Sequence, residues 1–184
     1  MQTPNDRRYS GEIERLRSPQ RLALMEVERV VGLALEGIAA KSALDVGTGS
    51  GLFAEAFAAQ GLTVAGADVR EDMLDVARQF VPDGVFRQGR MEALPFGAGE
   101  YDLVFLGHVL HEADDLVVAL REARRTARLR VVVLEWPHAV QDYGPPLDHR
   151  LKPEQVAAAA LEAGLPQFER IDLAQLVLYR LNIG

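Results

Sequence analysis

The stretch Ser42-Ala-Leu-Asp-Val-Gly-Thr-Gly-Ser-Gly51 constrains the fold more than any other part of the chain. Ala43 to Val46 is a short apolar run of the kind used by a strand covered on both faces of a parallel sheet. Gly47, Gly49 and Gly51 follow at once, so the strand ends in a turn whose backbone can approach a ligand with no Cβ in the way. Leu52 to Gln60 is strongly helix-forming, places Phe53, Ala56 and Phe57 on one face, and is stopped by Gly61. A strand, a glycine loop and a helix whose first amides have no partner make a unit suited to cradling a nucleotide.

The spacing narrows the ligand. A dinucleotide fingerprint, G-x-G-x-x-G/A, puts Leu52 at its last small position when counted from Gly47; counted from Gly49 it puts Ala54 there, with the turn starting two residues late. A nicotinamide oxidoreductase therefore stays open but disfavoured. A P-loop fails, because no lysine follows Gly51. Asp45 stands two residues before the first glycine, and a carboxylate there suits a cationic ligand better than a pyrophosphate. A glycine turn that serves only strand–helix packing is the plainer alternative. With that acid in place, Leu44-Asp45-Val46-Gly47-Thr48-Gly49-Ser50-Gly51 resembles the first motif of the class I S-adenosylmethionine-dependent methyltransferases. The resemblance implies that Asp45, Gly47, Thr48, Gly49 and Gly51 hold the amino-acid end of S-adenosylmethionine.

At 184 residues, 48% hydrophobic and 26% charged, the chain reads as a single domain, 1–184, of ordinary globular composition. No apolar run reaches membrane-spanning length, and no signal-peptide pattern is read at the start. A formal charge of −7 opposes a broad grip on nucleic acid, whose phosphates need Lys and Arg. The absence of cysteine fits a cytoplasmic chain and excludes thiolate nucleophiles, zinc–thiolate sites and cysteine-held iron–sulfur clusters.

Residues 1–17, with Arg7, Arg8, Arg15 and Arg17 around Tyr9, read as an arm or lid. Ser18-Pro19 opens a helix expected over 18–40, with Leu22, Met25, Val30 and Leu33 apolar and a stop near Gly37. In the families resembled, the N-terminal segment closes over the cofactor and shapes the acceptor pocket. Tyr9 is its candidate residue here, an exposed tail tyrosine being the alternative.

From the glycine loop onward strands and helices alternate, the pattern of a parallel sheet covered on both faces. Thr63 to Val69 is the second strand and a helix runs from Glu71 to about Phe80. Asp68 ends the strand about twenty residues past the glycines, where nucleotide-binding folds keep an acid for ribose hydroxyls; capping the next helix is its plainer role. Val69 and Met73 are placed to pack on adenine. A third strand over 85–90 leads into Met91-Glu92-Ala93-Leu94-Pro95-Phe96, which resembles the Gly-Asp-Ala-Glu-x-Leu-Pro-Phe stretch of quinone-type methyltransferases. Arg90 departs from it: the family's Asp accepts a bond from the adenine amino group, and a guanidinium has no acceptor. The resemblance leaves the Met91 amide and Glu92 as adenine contacts.

The fourth strand, Tyr101 to Gly107, delivers His108, His111 and Glu112 to the crevice outside the strand ends. Gly107 is assigned to the cofactor and His111 to proton transfer, with loop capping as the alternative for the histidine. No Asn/Asp-Pro-Pro-aromatic sequence follows, so amino groups of DNA bases are poor acceptors. Arg121, Arg124, Arg125, Arg128 and Arg130 read as a solvated helix end, or as a surface for an acidic partner. A fifth strand over 129–136 puts Glu135 and Trp136 at the crevice edge. The long Pro137–Arg150 connection carries Gly144-Pro145-Pro146, similar to a subgroup of quinone-type homologues, and brings His149. A helix from Pro153 to Gly164 and a hairpin, 167–172 with 175–181, complete the chain.

By resemblance the architecture is a Rossmann-like α/β fold: a seven-stranded, mostly parallel sheet in the order 3-2-1-4-5-7-6, its last strand antiparallel, with helices on both faces. The implied activity is S-adenosylmethionine-dependent methyl transfer to a small organic acceptor; the alternative is a catalytically silent adenosyl-binding module. Tyr9, His108, Glu135, Trp136 and His149 are the expected acceptor pocket. Four histidines and Glu135 on one side of the sheet raise the question of a metal, but their spacing matches no helical metal motif, so metal-independent transfer is expected.

Overall fold

In the computed structural model, which describes residues 13–184, the chain runs through a 3-10 turn (Ile13–Arg17), α1 (Pro19–Met25), α2 (Val27–Leu35), β1 (Ser42–Val46), α3 (Leu52–Ala59), β2 (Thr63–Asp68), α4 (Glu71–Phe80), β3 (Val85–Gln88), β4 (Tyr101–Gly107), α5 (Leu116–Thr126), β5 (Ala127–Glu135), α6 (Pro153–Glu162), β6 (Gln167–Asp172) and β7 (Val177–Asn182). Tyr9 lies outside the described residues. The strands form one sheet in the order β3-β2-β1-β4-β5-β7-β6, with β7 antiparallel to both neighbours and all other pairs parallel.

Alternation along the strands explains the two cores. Leu44, Val46, Val104, Leu106, Val131 and Val133 face α5 and α6, while Ala43, Leu103, Phe105, Val132 and Leu134 face α2, α3 and α4. Every residue of β1 is buried, as expected of a central parallel strand. On the α3 side Phe53 and Phe57 pack against Phe105 with ring centroids 4.7 and 5.4 Å apart.

Ser18 caps α1 as its sequence predicts, accepting from the Arg21 amide at 3.4 Å. The single helix expected over 18–40 is instead two. Glu26 breaks it at φ 44°, in the left-handed region, and its carboxylate accepts from the Ala174 amide at 2.9 Å in the β6–β7 turn. A tertiary contact thus overrides helix propensity at the one residue that must reach the far edge of the sheet.

The arginine run is not a free basic surface. Arg124 donates to the Gly164 carbonyl and Arg125 to those of Leu94 and Phe96, while Arg128 pairs with Asp102. Arg130 is buried and donates to the carbonyls of Ala34 and Glu36 at the end of α2 and to the Asn182 side chain, satisfying acceptors that a helix C-terminus leaves open. Arg121, Arg124 and Arg128 are exposed and fit the solvated reading, while Arg125 is half-buried and Arg130 buried. Among the described residues no helix is long and apolar enough to cross a membrane.

Candidate active site

The register brings three strand ends level. Val46 pairs with Ala67 of β2 and with Leu106 of β4, so the next residues, Gly47, Asp68 and Gly107, border one cleft of about 900 Å³. That is the size of a nucleotide-class ligand pocket, and it opens where parallel α/β sheets bind ligands.

Gly47, Gly49 and Gly51 all have positive φ, at 66°, 51° and 77°. A Cβ on Gly47 would lie 2.4 Å from a Val109 methyl carbon, and one on Gly51 would lie 2.9 Å from the Ala77 Cβ. Glycine is therefore required at both, and a loop built from glycine has no side chain to cap α3. Asp45 supplies the cap. Strand alternation turns it to the α3 side, where its Oδ2 accepts from the Thr48 hydroxyl at 2.7 Å and the Ala54 amide at 3.2 Å. Its carboxylate, 3% exposed, braces the loop from beneath rather than reaching the cleft. Thr48 is spent on the same contact, and neither it nor Gly51 borders the cleft.

Burial pushes the Asp45 carboxyl up to about 7, with Asp68 adding repulsion and the Thr48 and Ala54 bonds opposing both. For an acid whose pKa is higher folded than unfolded, the folded state holds the extra proton, so stability is greatest in acid and falls as pH rises through the folded value. Asp45→Asn keeps an acceptor for Thr48 or Ala54 and removes the ionisation. The variant should flatten the loss of melting temperature between about pH 5 and pH 8; parallel slopes for the two proteins in thermal melts would exclude Asp45 as its source.

Asp68 faces the cleft. Its Oδ2 accepts from the Gly49 amide and its Oδ1 from the Arg70 amide, both at 2.9 Å. It thereby joins the β2 end to the glycine loop. Burial raises its pKa, against the lowering effect of those two bonds. Beside it Val69, 41% exposed, and buried Met73 give the cleft an apolar wall. Met91 and Glu92 border it as expected. Arg90 borders it too, held by ion pairs to Asp114 and Glu92, while the Glu92 carboxylate also accepts from the Asp114 amide at 2.8 Å.

At the other end of the cleft stand His108, His111, Trp136 and His149. His111 is buried with its Nδ1 2.8 Å from Glu135 Oε2, and its amide donates to Glu135 Oε1 at 3.1 Å. Glu135, expected to face the acceptor, lies behind the histidine and does not border the cleft. The two-point contact fixes the ring and, with the carboxylate accepting at Nδ1, makes Nε2 the basic nitrogen of the neutral imidazole. His108 occupies the left-handed region at φ 57°. Its ring lies 5.0 Å from that of Trp136, which in turn lies 5.6 Å from Tyr143. Burial and the nearby Arg21 charge hold the His108 pKa well below the usual imidazole range, so the ring is neutral.

The sequence reads 1–17 as an arm or lid without singling out the residues that wall the cleft from there and from α1. Leu16, Ser18, Gln20, Arg21 and Leu24 roof the cleft from the 3-10 turn and α1. Arg17 fastens that roof, donating to Glu55 at 2.7 Å and to the Ser50 carbonyl at 2.8 Å while lying 3.4 Å over the Phe80 ring. The 137–150 connection is organised by buried Arg150, which donates to the carbonyls of Pro137, Ala139, Tyr143 and Pro145 and to the Gln141 side chain. The signal for it was a proline-rich loop with carbonyls to satisfy and a guanidinium with five donors at its end. Among the described residues no group of three or more His, Cys, Asp or Glu is placed to hold a metal ion.

Residues 44–132 match the family described as a methyltransferase domain. An uncharacterised methyltransferase of Synechocystis is 40% identical over 98 residues, 50% of this chain and 46% of that protein. The demethylmenaquinone methyltransferase of Renibacterium salmoninarum is 32% identical over 119 residues, 64% of this chain and 49% of that protein. The chain thus spans about half the length of these curated relatives. A solved S-adenosylmethionine-dependent methyltransferase from Aquifex aeolicus superposes with a TM-score of 0.79 at 22% identity, over 94% of this chain and 97% of that one. That likeness establishes a shared fold.

Proposed function

We propose that this chain, whose residues 44–132 match a methyltransferase domain family, moves the sulfonium methyl group of S-adenosylmethionine to a small organic acceptor without a metal. The observation that carries the reading is a single cleft bounded at one end by Gly47, Gly49 and Asp68 and at the other by His111 backed by Glu135. The residues suit the cofactor: a cradle where a Cβ does not fit, a carboxylate for ribose hydroxyls, and an apolar wall for adenine. Bound S-adenosylmethionine supplies a methyl that is already activated, so the protein's work is alignment and exclusion of water.

In this reading the backbone at Gly47, Gly49 and Gly107 lies along the amino-acid end and Asp68 takes the ribose. Asp45, Thr48 and Gly51 act indirectly, by fixing the loop. Val69, Met73, Met91 and Glu92 surround the base, with Arg90 at its rim. The N-terminal arm serves as a lid, and Arg17 holds the described turn at 13–17 to the glycine loop. Trp136 and His149 border the acceptor, and Tyr9 joins them from the arm. His111 would take the acceptor's proton at Nε2 as the bound cofactor supplied its methyl to the acceptor. The acceptor is a small molecule, since a net charge of −7 gives no grip on nucleic acid.

Titration calorimetry tests the assignment with S-adenosylmethionine, S-adenosylhomocysteine and NAD. Both sulfur compounds should bind and NAD should not. Tight binding of NAD with no response to either sulfur compound overturns it.

A further inference from the structure

Both ring nitrogens of His108 are buried, and neither has a hydrogen-bond partner among the described residues. Leaving a buried polar group unmet is costly, and His108 carries that cost with a backbone in the left-handed region, φ 57°. Its ring borders the cleft at the acceptor end, and Trp136 and Tyr143 continue it as a row of three tilted rings. Strain and an unpartnered polar group at one cleft-side residue are the signature of a position kept for a ligand.

We propose that His108 selects the acceptor: its imidazole receives the hydroxyl of an aromatic acceptor whose ring lies against Trp136. The chemistry follows from what a neutral imidazole offers, one N–H donor and one bare nitrogen. A hydroxyl can serve either atom, a carboxylate only the donor and an ammonium only the bare nitrogen. The aromatic row favours a flat ring over an alkyl alcohol. The ring nitrogens are occluded in the ligand-free conformation, so the side chain turns toward the hydroxyl as it enters, exchanging an unpaired edge for a paired one. This reading rests on the cleft assigned above, with His111 the neighbouring base.

The lone tryptophan of the chain, Trp136, reports the event by its fluorescence. Three probes of matched size, 4-propylphenol, 4-propylbenzoate and 4-propylbenzylamine, are titrated into the protein with and without S-adenosylhomocysteine. The phenol should quench Trp136 saturably and bind at least about tenfold more tightly than the amine, the difference made by one good hydrogen bond. The benzoate should fall between them. His108→Gly, which suits the left-handed backbone, should lose about tenfold in phenol affinity, and His108→Asn, which tolerates that backbone and offers both a donor and an acceptor, should keep most of it. S-adenosylhomocysteine affinity should be the same in all three proteins. Equal affinity for phenol and amine, an unchanged phenol affinity in His108→Gly, or no saturable quenching by any probe overturns the proposal. Failure of S-adenosylhomocysteine to bind wild-type protein overturns the cofactor assignment instead, and the phenol titration of the cofactor-free protein still decides the role of His108.

Discussion

Asp68→Ala is expected to weaken binding of S-adenosylhomocysteine by about 10²-fold, the equivalent of one or two hydrogen bonds to a charged group at about 1.5–3 kcal/mol each. The carboxylate stands at the end of β2, facing the cleft and already accepting from the Gly49 and Arg70 amides. It is therefore aimed by two backbone bonds before any ligand arrives, and little of its binding energy goes into ordering it. Truncation removes the ribose acceptors and also frees the Gly49 amide, so part of the loss comes from a loosened loop. Asp68→Asn separates the two effects. It keeps one acceptor for Gly49 but not the charge, and should fall between wild type and alanine. Because burial raises the Asp68 pKa, wild-type binding should also weaken in acid as the carboxylate takes up a proton, and the asparagine variant should lose that dependence. Calorimetry on all three proteins at two pH values decides it; an alanine variant within threefold of wild type would place the ribose elsewhere.

What could be read in advance followed the periodicity of the chain. The apolar run Ala43–Val46, the glycines and the Phe53/Phe57 face are local signals, and each became the element its pattern predicts. The strand order was legible only through resemblance, because nothing in β5 or β7 says which neighbour each will pair with. The direction in which a strand residue points was legible but not used. Alternation from Ala43 already puts Asp45 on the α3 side, and a loop of glycines already lacks a cap for α3, which together predict a bracing role. Glu135 repeats the lesson: it ends β5 beside the cleft, yet its carboxylate is drawn back to His111.

The break at Glu26 and the way Arg17 fastens the roof were not legible. Each depends on distant partners in sequence, Ala174 for Glu26 at 148 positions and Glu55 and Ser50 for Arg17 at 38 and 33. No window of local composition contains both members of the longer pairs. The arginine run divides. Arg121, Arg124 and Arg128 are exposed as five like charges in ten residues suggested, but long side chains can reach carbonyl groups far from their own backbone, and half-buried Arg125 and buried Arg130 are drawn inward that way.

His111→Ala should lower kcat by about 10²- to 10⁴-fold with any acceptor whose nucleophile must shed a proton, the usual contribution of a positioned general base. The expectation rests on a ring gripped at Nδ1 by Glu135, 2.8 Å away, and at its own amide by the same carboxylate. That grip orients the imidazole and stabilises the cation formed when Nε2 is protonated. Glu135→Gln should therefore act in the same direction and less severely, since an amide can still hold the ring but cannot balance its charge. Neither variant should change S-adenosylhomocysteine affinity, because the dyad lies at the acceptor end of the cleft. The loss should fall on kcat more than on KM, as for a group whose main interaction is made in the transition state. Added chelator should leave wild-type activity unchanged. Product formation followed by mass spectrometry reads all of these. An unchanged rate and pH profile in His111→Ala would remove the base assignment, and activity abolished by chelator and restored by a divalent cation would replace proton transfer with metal chemistry.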